Sequence, residues 1–306
     1  MDLAQDARSD FVNANGARLH YLDWGGDGPA LIFLAGYANT PHFFDSLATA
    51  FIGRFHVLGL TRRAHGESEQ PESAYDLPAL AMDILGFMDA LGIEKAVLAG
   101  HSFAGGEMAY LAAHHPDRLS RLVFLDALYD YTSADVQLFG ENPVPPAAPP
   151  PESFESVAAY CEDFVNRYPS YRRLRSPRWD ALWALTLDQR ADGRFVEKIR
   201  PETAKLLSEG LEGFEPDWRD IRCPTLVFYA IQTADWTMPD DPSPELKAEV
   251  VAYTERMNRE FKDRNVEHAR KKIPDVQVVV FEDTSHYCFL DREDNVIAAM
   301  RTFLAQ

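Results

Sequence analysis

The feature that most limits how this chain can fold is an alternation. Short apolar runs at 18–23, 30–34, 56–60, 96–99, 119–125, 225–229 and 276–281 are separated by stretches with helical spacing. From position 30 onward the runs are apolar at nearly every residue instead of every second one. A strand covered by helices on both faces has this character, because neither face meets water. Strands interleaved with helices build parallel sheets through crossover connections. The expectation is an α/β fold with a mostly parallel central sheet of about eight strands flanked by helices. With 306 residues, 46% of them hydrophobic, the chain can bury a core of that size.

The alternation breaks between 130 and 217. The break opens on Asn142-Pro-Val-Pro-Pro-Ala-Ala-Pro-Pro-Pro151, too rich in proline for helix or central strand. The residues after this proline run read as helices carrying Phe154, Tyr160, Phe164, Tyr168, Tyr171, Trp179 and Trp183. Residues 130–217 are therefore expected to form a helical cap inserted into a body made of 1–129 and 218–306. Each ring taken singly is best explained as filling the cap's own core, and a few are expected to face a substrate. A second insertion, 245–272, places Leu246, Val250, Tyr253, Met257 and Phe261 at three- and four-residue intervals, one apolar stripe on a charged helix. The stripe is expected to pack on the body, with a dimer contact as the alternative, so a monomer or homodimer is anticipated.

A formal net charge of -18 disfavours nucleic acid as a partner, since binding a polyanion needs clustered Lys and Arg. No stretch offers about 18 consecutive apolar residues, so no membrane span is expected. Cys161, Cys223 and Cys288 are an odd, scattered set, which argues against a disulfide framework and a zinc site and favours a reducing, cytoplasmic setting. No glycine-rich phosphate loop or metal-ligand spacing occurs, so no cofactor and no metal are expected.

Chemistry enters at Lys95-Ala-Val-Leu-Ala-Gly-His-Ser-Phe-Ala-Gly-Gly-Glu107, which runs from an apolar strand through a small-residue turn into a helical pattern. A sharp strand-to-helix turn strains its central residue and exposes that side chain, and small neighbours are needed because the two elements nearly touch. Ser102 stands at the turn, flanked by Gly100 and Ala104. A serine opening an ordinary helix is the plainer alternative.

With Gly100-His-Ser-Phe-Ala-Gly105 at its centre, the chain resembles the α/β-hydrolase superfamily, in its serine-esterase-like form with a helical cap. Leu31-Ile-Phe-Leu-Ala-Gly36 looks like that family's strand and oxyanion turn, and Thr61-Arg-Arg-Ala-His-Gly-Glu-Ser68 looks like the loop after the next strand. Two departures stand out: Ala104 occupies the fifth position of G-x-S-x-G, and Ala35-Gly36 stands where many relatives carry His-Gly.

The resemblance implies Ser102 as nucleophile and His286, in Phe281-Glu-Asp-Thr-Ser-His-Tyr-Cys-Phe-Leu290, as its base. A loop histidine bonded to Asp283 or Asp291 is the alternative for His286. His101 is expected to point away from the chemistry and His65 to brace its loop. A carboxylate must orient the imidazole and stabilise its protonated form. Asp126 is preferred, because a charge ending the apolar strand Leu122-Val-Phe-Leu125 needs a partner; Asp235 is the alternative acid. By family position the oxyanion donors are the backbone N–H groups of Tyr37 and Phe103.

The implied function is a serine hydrolase, a carboxylesterase that cleaves an ester or related acyl bond of a partly apolar small molecule through an acyl-enzyme. Epoxide hydrolysis and dehalogenation need a carboxylate nucleophile, which Ser102 is not. A receptor that has lost turnover, or a lyase, perhydrolase or C–C hydrolase using the same residues, is the alternative.

Overall fold

A computed structural model describes residues 7–210 and 217–306. Each apolar run becomes a strand: β2 (Ala17–Gly25), β3 (Ala30–Leu34), β4 (His56–Leu60), β5 (Ala96–His101), β6 (Leu119–Leu125), β9 (Thr225–Ile231) and β10 (Val276–Glu282). An eighth, β1 (Arg8–Ala14), is not among the expected strands. It is a mostly exposed edge strand, so burial imposed little apolar pattern on it. The signal available was Asn15-Gly16, both at positive φ, the dipeptide that closes two-residue hairpins. The eight strands run in the order β1-β2-β4-β3-β5-β6-β9-β10. Pairing is antiparallel from β1 through β2 to β4 and parallel elsewhere, the α/β fold that was expected.

The continuous apolar runs are explained by the two faces of the sheet. Along β3, Leu31 and Phe33 join one buried cluster while Ile32 and Leu34 join the other. Helices α1 (Asp45–Thr49), α2 (Leu77–Ala90) and α3 (Ala104–His114) follow the early strands. Asp76 caps α2 by accepting from the Ala79 N–H at 2.8 Å, satisfying a donor the helix leaves open.

Between β6 and β9 lie α4 (Ser133–Gly140), α5 (Val157–Arg167), α6 (Pro177–Ala184), the small hairpin β7 (Leu187–Gln189) with β8 (Phe195–Glu197), and α7 (Pro201–Glu209). The hairpin departs from the all-helical expectation; its three-residue strands are too short to show alternation. The aromatic rings of this segment interlock with the body: Trp183 meets Phe43 at 5.7 Å and Trp179 meets Tyr287 at 5.4 Å between ring centroids.

After β9 come α8 (Ala234–Thr237), α9 (Pro244–Met257), a π-helical turn at Asn258–Lys262, α10 (Asp263–Lys272), α11 (Cys288–Asp291) and α12 (Glu293–Leu304). Val250 and Phe261 of the 245–272 stripe are buried, and Phe261 stacks on Tyr129 at 5.0 Å. The stripe thus faces the body. Among the described residues no helix is long and apolar enough to cross a membrane.

One buried ion pair ties the loop after β4 to α2. Arg63 grips Asp83 through two bonds of 2.6 and 2.5 Å, each side chain 2% exposed, and also donates to the Ala74 carbonyl at 2.8 Å. Removing one partner strands a buried charge. Arg63→Leu is expected to cost about 3–5 kcal/mol in urea unfolding, and Arg63→Leu with Asp83→Leu should recover much of it. A single variant as stable as wild type would contradict this account.

Candidate active site

Ser102 sits between β5 and α3 with a φ of +54°, a left-handed conformation that L-residues adopt only at a cost. The turn is possible because its neighbours are small. A Cβ on Gly100 would lie 2.9 Å from the Ala104 Cβ and 2.3 Å from Met108 Sδ, and one on Gly105 would lie 1.7 Å from the Ala127 carbonyl oxygen. Ala104 itself is fully buried, so alanine meets the steric demand at the position where the family motif has glycine.

Asp126 follows β6, also at positive φ (+49°), and is 1% exposed. Its Oδ2 lies 2.6 Å from His286 Nδ1. Its Oδ1 accepts from the Ala230 N–H at 2.9 Å and from the Tyr129 hydroxyl, and Lys262 Nζ lies 3.2 and 3.4 Å from the two oxygens. Burial works against the charge, but Lys262, the His286 bond and the Tyr129 hydroxyl outweigh it and hold the carboxyl well below its ordinary value. Burial and the neighbouring carboxylate push the Tyr129 phenol far up, so it remains a donor.

The loop around His286 is shaped by other groups. Asp291 accepts from the Ser285 N–H at 2.6 Å and the Thr284 hydroxyl at 3.1 Å, while Asp283 accepts from Trp236 and Thr233. Neither contacts the imidazole. His101, expected to point away, lies behind it: the rings are 4.5 Å apart, and His101 Nε2 donates to the His286 carbonyl at 3.0 Å. Burial, then the nearby His286, keeps the His101 ring well below the usual imidazole range, so it acts as a neutral prop. His65 is buried and bonds the Arg63 carbonyl at 3.0 Å, bracing its loop.

The loop carrying Tyr37 is held by a residue that the sequence pattern does not single out. Arg62 forks onto Glu107 of α3 with two 2.6 Å bonds and donates to the carbonyls of Ala35 at 2.9 Å and Gly36 at 3.4 Å. Its guanidinium also lies 4.5 Å from the centre of the Phe103 ring. This fork supports the loop from below at the point where Ala35 replaces the family's histidine. Gly36 permits a close approach, since a Cβ there would sit 3.1 Å from the Ser102 Cβ. The advance signal was a pair of adjacent arginines directly after an apolar run, in Thr61-Arg-Arg-Ala64.

Ser102, Phe103, Tyr37, Asp126 and His286 all line one cavity of about 320 Å³. Asp235 does not: it lies on α8, 74% exposed at its side chain, 3.7 Å from Arg173. No ring of the 154–183 segment is among the residues that line this cavity. The aromatic residues at the cavity wall are Tyr37, Phe103, Tyr129 and Tyr131, whereas Phe164, Trp179 and Trp183 pack on each other and on Phe43 and Tyr287. Among the described residues, no group of three or more His, Cys, Asp or Glu could hold a metal ion.

Comparison with known proteins places this geometry. Residues 29–293 match the family model described as the alpha/beta hydrolase fold. The chain is 25% identical over 305 residues to 2-(acetamidomethylene)succinate hydrolase of Mesorhizobium japonicum, covering 94% of this chain and 93% of that protein. It is 33% identical over 120 residues to a non-heme chloroperoxidase of Streptomyces lividans, and 33% over 117 to a bifunctional esterase/perhydrolase of Acinetobacter calcoaceticus. Those two alignments span 44% and 42% of the relatives. In three dimensions the crystal structure of E-2-(acetamidomethylene)succinate hydrolase superposes with a TM-score of 0.73 at 21% identity, covering 98% of this chain and all of that one. With a match over most of its length and the sheet order described above, the chain belongs to the alpha/beta hydrolase fold family.

Proposed function

We propose that the protein is a serine hydrolase of the carboxylesterase type, working through an acyl-enzyme on a neutral, partly apolar small molecule. The observation that carries this reading is the 2.6 Å bond from buried Asp126 to His286 on the wall of the cavity that also exposes the left-handed Ser102.

The steps follow from the groups present. Asp126 accepts the Nδ1–H of His286, leaving Nε2 as the base. Ser102 Oγ attacks the substrate carbonyl as its proton passes to Nε2, and the carbonyl oxygen becomes an oxyanion received by the backbone N–H groups of Tyr37 and Phe103. Collapse breaks the bond to the alcohol oxygen, which takes the proton from His286, and the acyl group stays on Ser102. Water repeats the sequence: His286 takes its proton, hydroxyl adds to the acyl carbon, and the carboxylic acid leaves as Ser102 is reprotonated.

The substrate class is read from the wall. Leu77, Ala109, Leu128 and Tyr131 give the cavity an apolar wall, and no Lys or Arg lines it among the described residues. A carboxylate on the substrate would find no cation there. The Mesorhizobium relative is named for a succinate; a neutral group suits this wall better. A second reading, perhydrolysis, is favoured by the esterase/perhydrolase and chloroperoxidase likenesses. It needs only hydrogen peroxide in place of water at the second step, giving a peracid. In either reading residues 130–217 are taken as a cap on the 1–129 and 218–306 body. The three cysteines, free in the structure, support a reducing, cytoplasmic setting.

A fluorophosphonate probe should label the wild type and not Ser102→Ala. On p-nitrophenyl esters, Asp126→Asn should lower kcat by about 10³–10⁴-fold, while Asp235→Asn stays near the wild-type rate; the reverse order would overturn the assignment of the acid. Wild type that is folded yet neither labels nor hydrolyses would end the enzyme reading in favour of a binding protein.

The apolar wall makes a second prediction. From Ala104 to Ala109, α3 advances about 7.5 Å, the reach of roughly six chain bonds at about 1.2 Å each. Ala109→Leu should therefore depress turnover of octanoyl esters several-fold or more relative to acetyl esters, whereas Leu77→Ala should shift preference toward longer chains. Equal effects on all chain lengths would show that the acyl group lies elsewhere.

A further inference from the structure

The helical insertion at 245–272 packs on the body, but packing does not account for one of its side chains. We propose that Lys262 is a positioning residue for the reaction, its ammonium sharing the Asp126 carboxylate with His286 and so weakening the carboxylate's hold on the protonated imidazole. The proposal rests on the triad reading above.

Lys262 is the last residue of the π-helical turn between α9 and α10. Such turns interrupt a helix at a cost in regularity and recur at functional sites. Here the turn delivers Nζ to within 3.2 and 3.4 Å of the two Asp126 oxygens, with the side chain only 17% exposed. Nζ also donates to the Tyr129 hydroxyl, which in turn donates to Asp126. The carboxylate already has the Ala230 N–H, the Tyr129 O–H and the His286 ring N–H as donors. Lys262 adds a fourth donor and, unlike the Ala230 N–H and the Tyr129 hydroxyl, brings a charge with it.

The other titratable groups around Asp126 carry no charge near neutral pH. Tyr129 and Tyr229 are pushed far above their ordinary value by burial, Tyr131 is pushed up to about 12 by burial and then by Asp126, and Tyr171 is raised for the same reasons. Burial likewise keeps the Cys288 thiol protonated and the His101 ring neutral. Among the described residues Lys262 is thus the one permanent cation on the carboxylate, and His286 becomes a second cation when it takes the Ser102 proton. Two like charges on one anion repel each other. With Lys262 in place, the carboxylate is shared between two cations and holds the imidazolium less strongly, so the proton passes more readily to the leaving group; removing the ammonium reverses this.

The test compares Lys262→Met, Lys262→Gln and Lys262→Arg with wild type. The readouts are the pH dependence of kcat/KM on a p-nitrophenyl ester and an NMR titration of the His286 imidazole in the folded proteins. In the Met and Gln variants the acid limb and the imidazole titration should both move to higher pH by about one unit, with the alkaline plateau reduced far less than the rate on the acid side. Lys262→Arg should return both toward wild type. The Gln variant keeps a donor near Asp126 without the charge, so it decides the matter if the Met variant does not fold. An unmoved limb and titration in the folded Gln variant, or an Arg variant that behaves like Gln, would reduce Lys262 to a packing role. If wild type hydrolyses no ester, the hydrolase reading falls, and the NMR arm alone supports or overturns the charge-sharing role.

Discussion

A carboxylate sealed from water at the end of a parallel strand is the condition around which the rest of this site is built. Asp126 is tolerated there because four different elements bring it a partner: Tyr129 from its own loop, the Ala230 N–H from β9, Lys262 from the π-helical turn and His286 from the loop after β10. Burying the charge without them would be prohibitive. Each partner also fixes a piece of geometry, since a bond to an immobile carboxylate leaves its donor little freedom. The imidazole is held from one side by that bond and from behind by His101.

The sheet makes this convergence possible. β6 lies between β5 and β9, so the turn carrying Ser102 and the strand end carrying Asp126 emerge side by side at the carboxyl ends of parallel strands. Ligand sites in open α/β sheets form at that edge. Positive φ at Ser102 and at Asp126 turns both side chains out of the strand direction, and the glycine-poor spacing is tolerated because Ala104 fits where the elements touch. Support for the loop carrying Tyr37 comes from Arg62 and Glu107, a buried fork that couples it to the helix that follows Ser102.

The segment between β6 and β9 contributes differently from what its aromatic content implied. Its rings join the apolar layer on one face of the sheet through Phe43 and Tyr287, which anchors it firmly. Apart from Tyr131, the residues lining the cavity lie outside 130–217, and Gly105, Gly106 and Ala109 of α3 are among them. Aromatic content by itself therefore does not say which rings line a cavity; that depends on what they have already packed against.

Read alone, the sequence determined seven of the eight strands of the central sheet, its mostly parallel character, the strained serine turn and, through the resemblance, the histidine loop. These are set by near neighbours: continuous apolar runs report burial on both faces, and small flanks report a tight turn. It left two acids open, although the demand that a charge ending an apolar strand find a partner favoured Asp126. Three matters were decided only by tertiary structure: that Asp126 and not Asp235 meets the imidazole, that Arg62 supports the loop of Tyr37, and that Lys262 reaches the acid. These contacts join residues 160, 45 and 136 positions apart. Such pairings leave no periodic trace, because they depend on which strands become neighbours and on where a helix is interrupted, and both are settled when the whole sheet closes over its core.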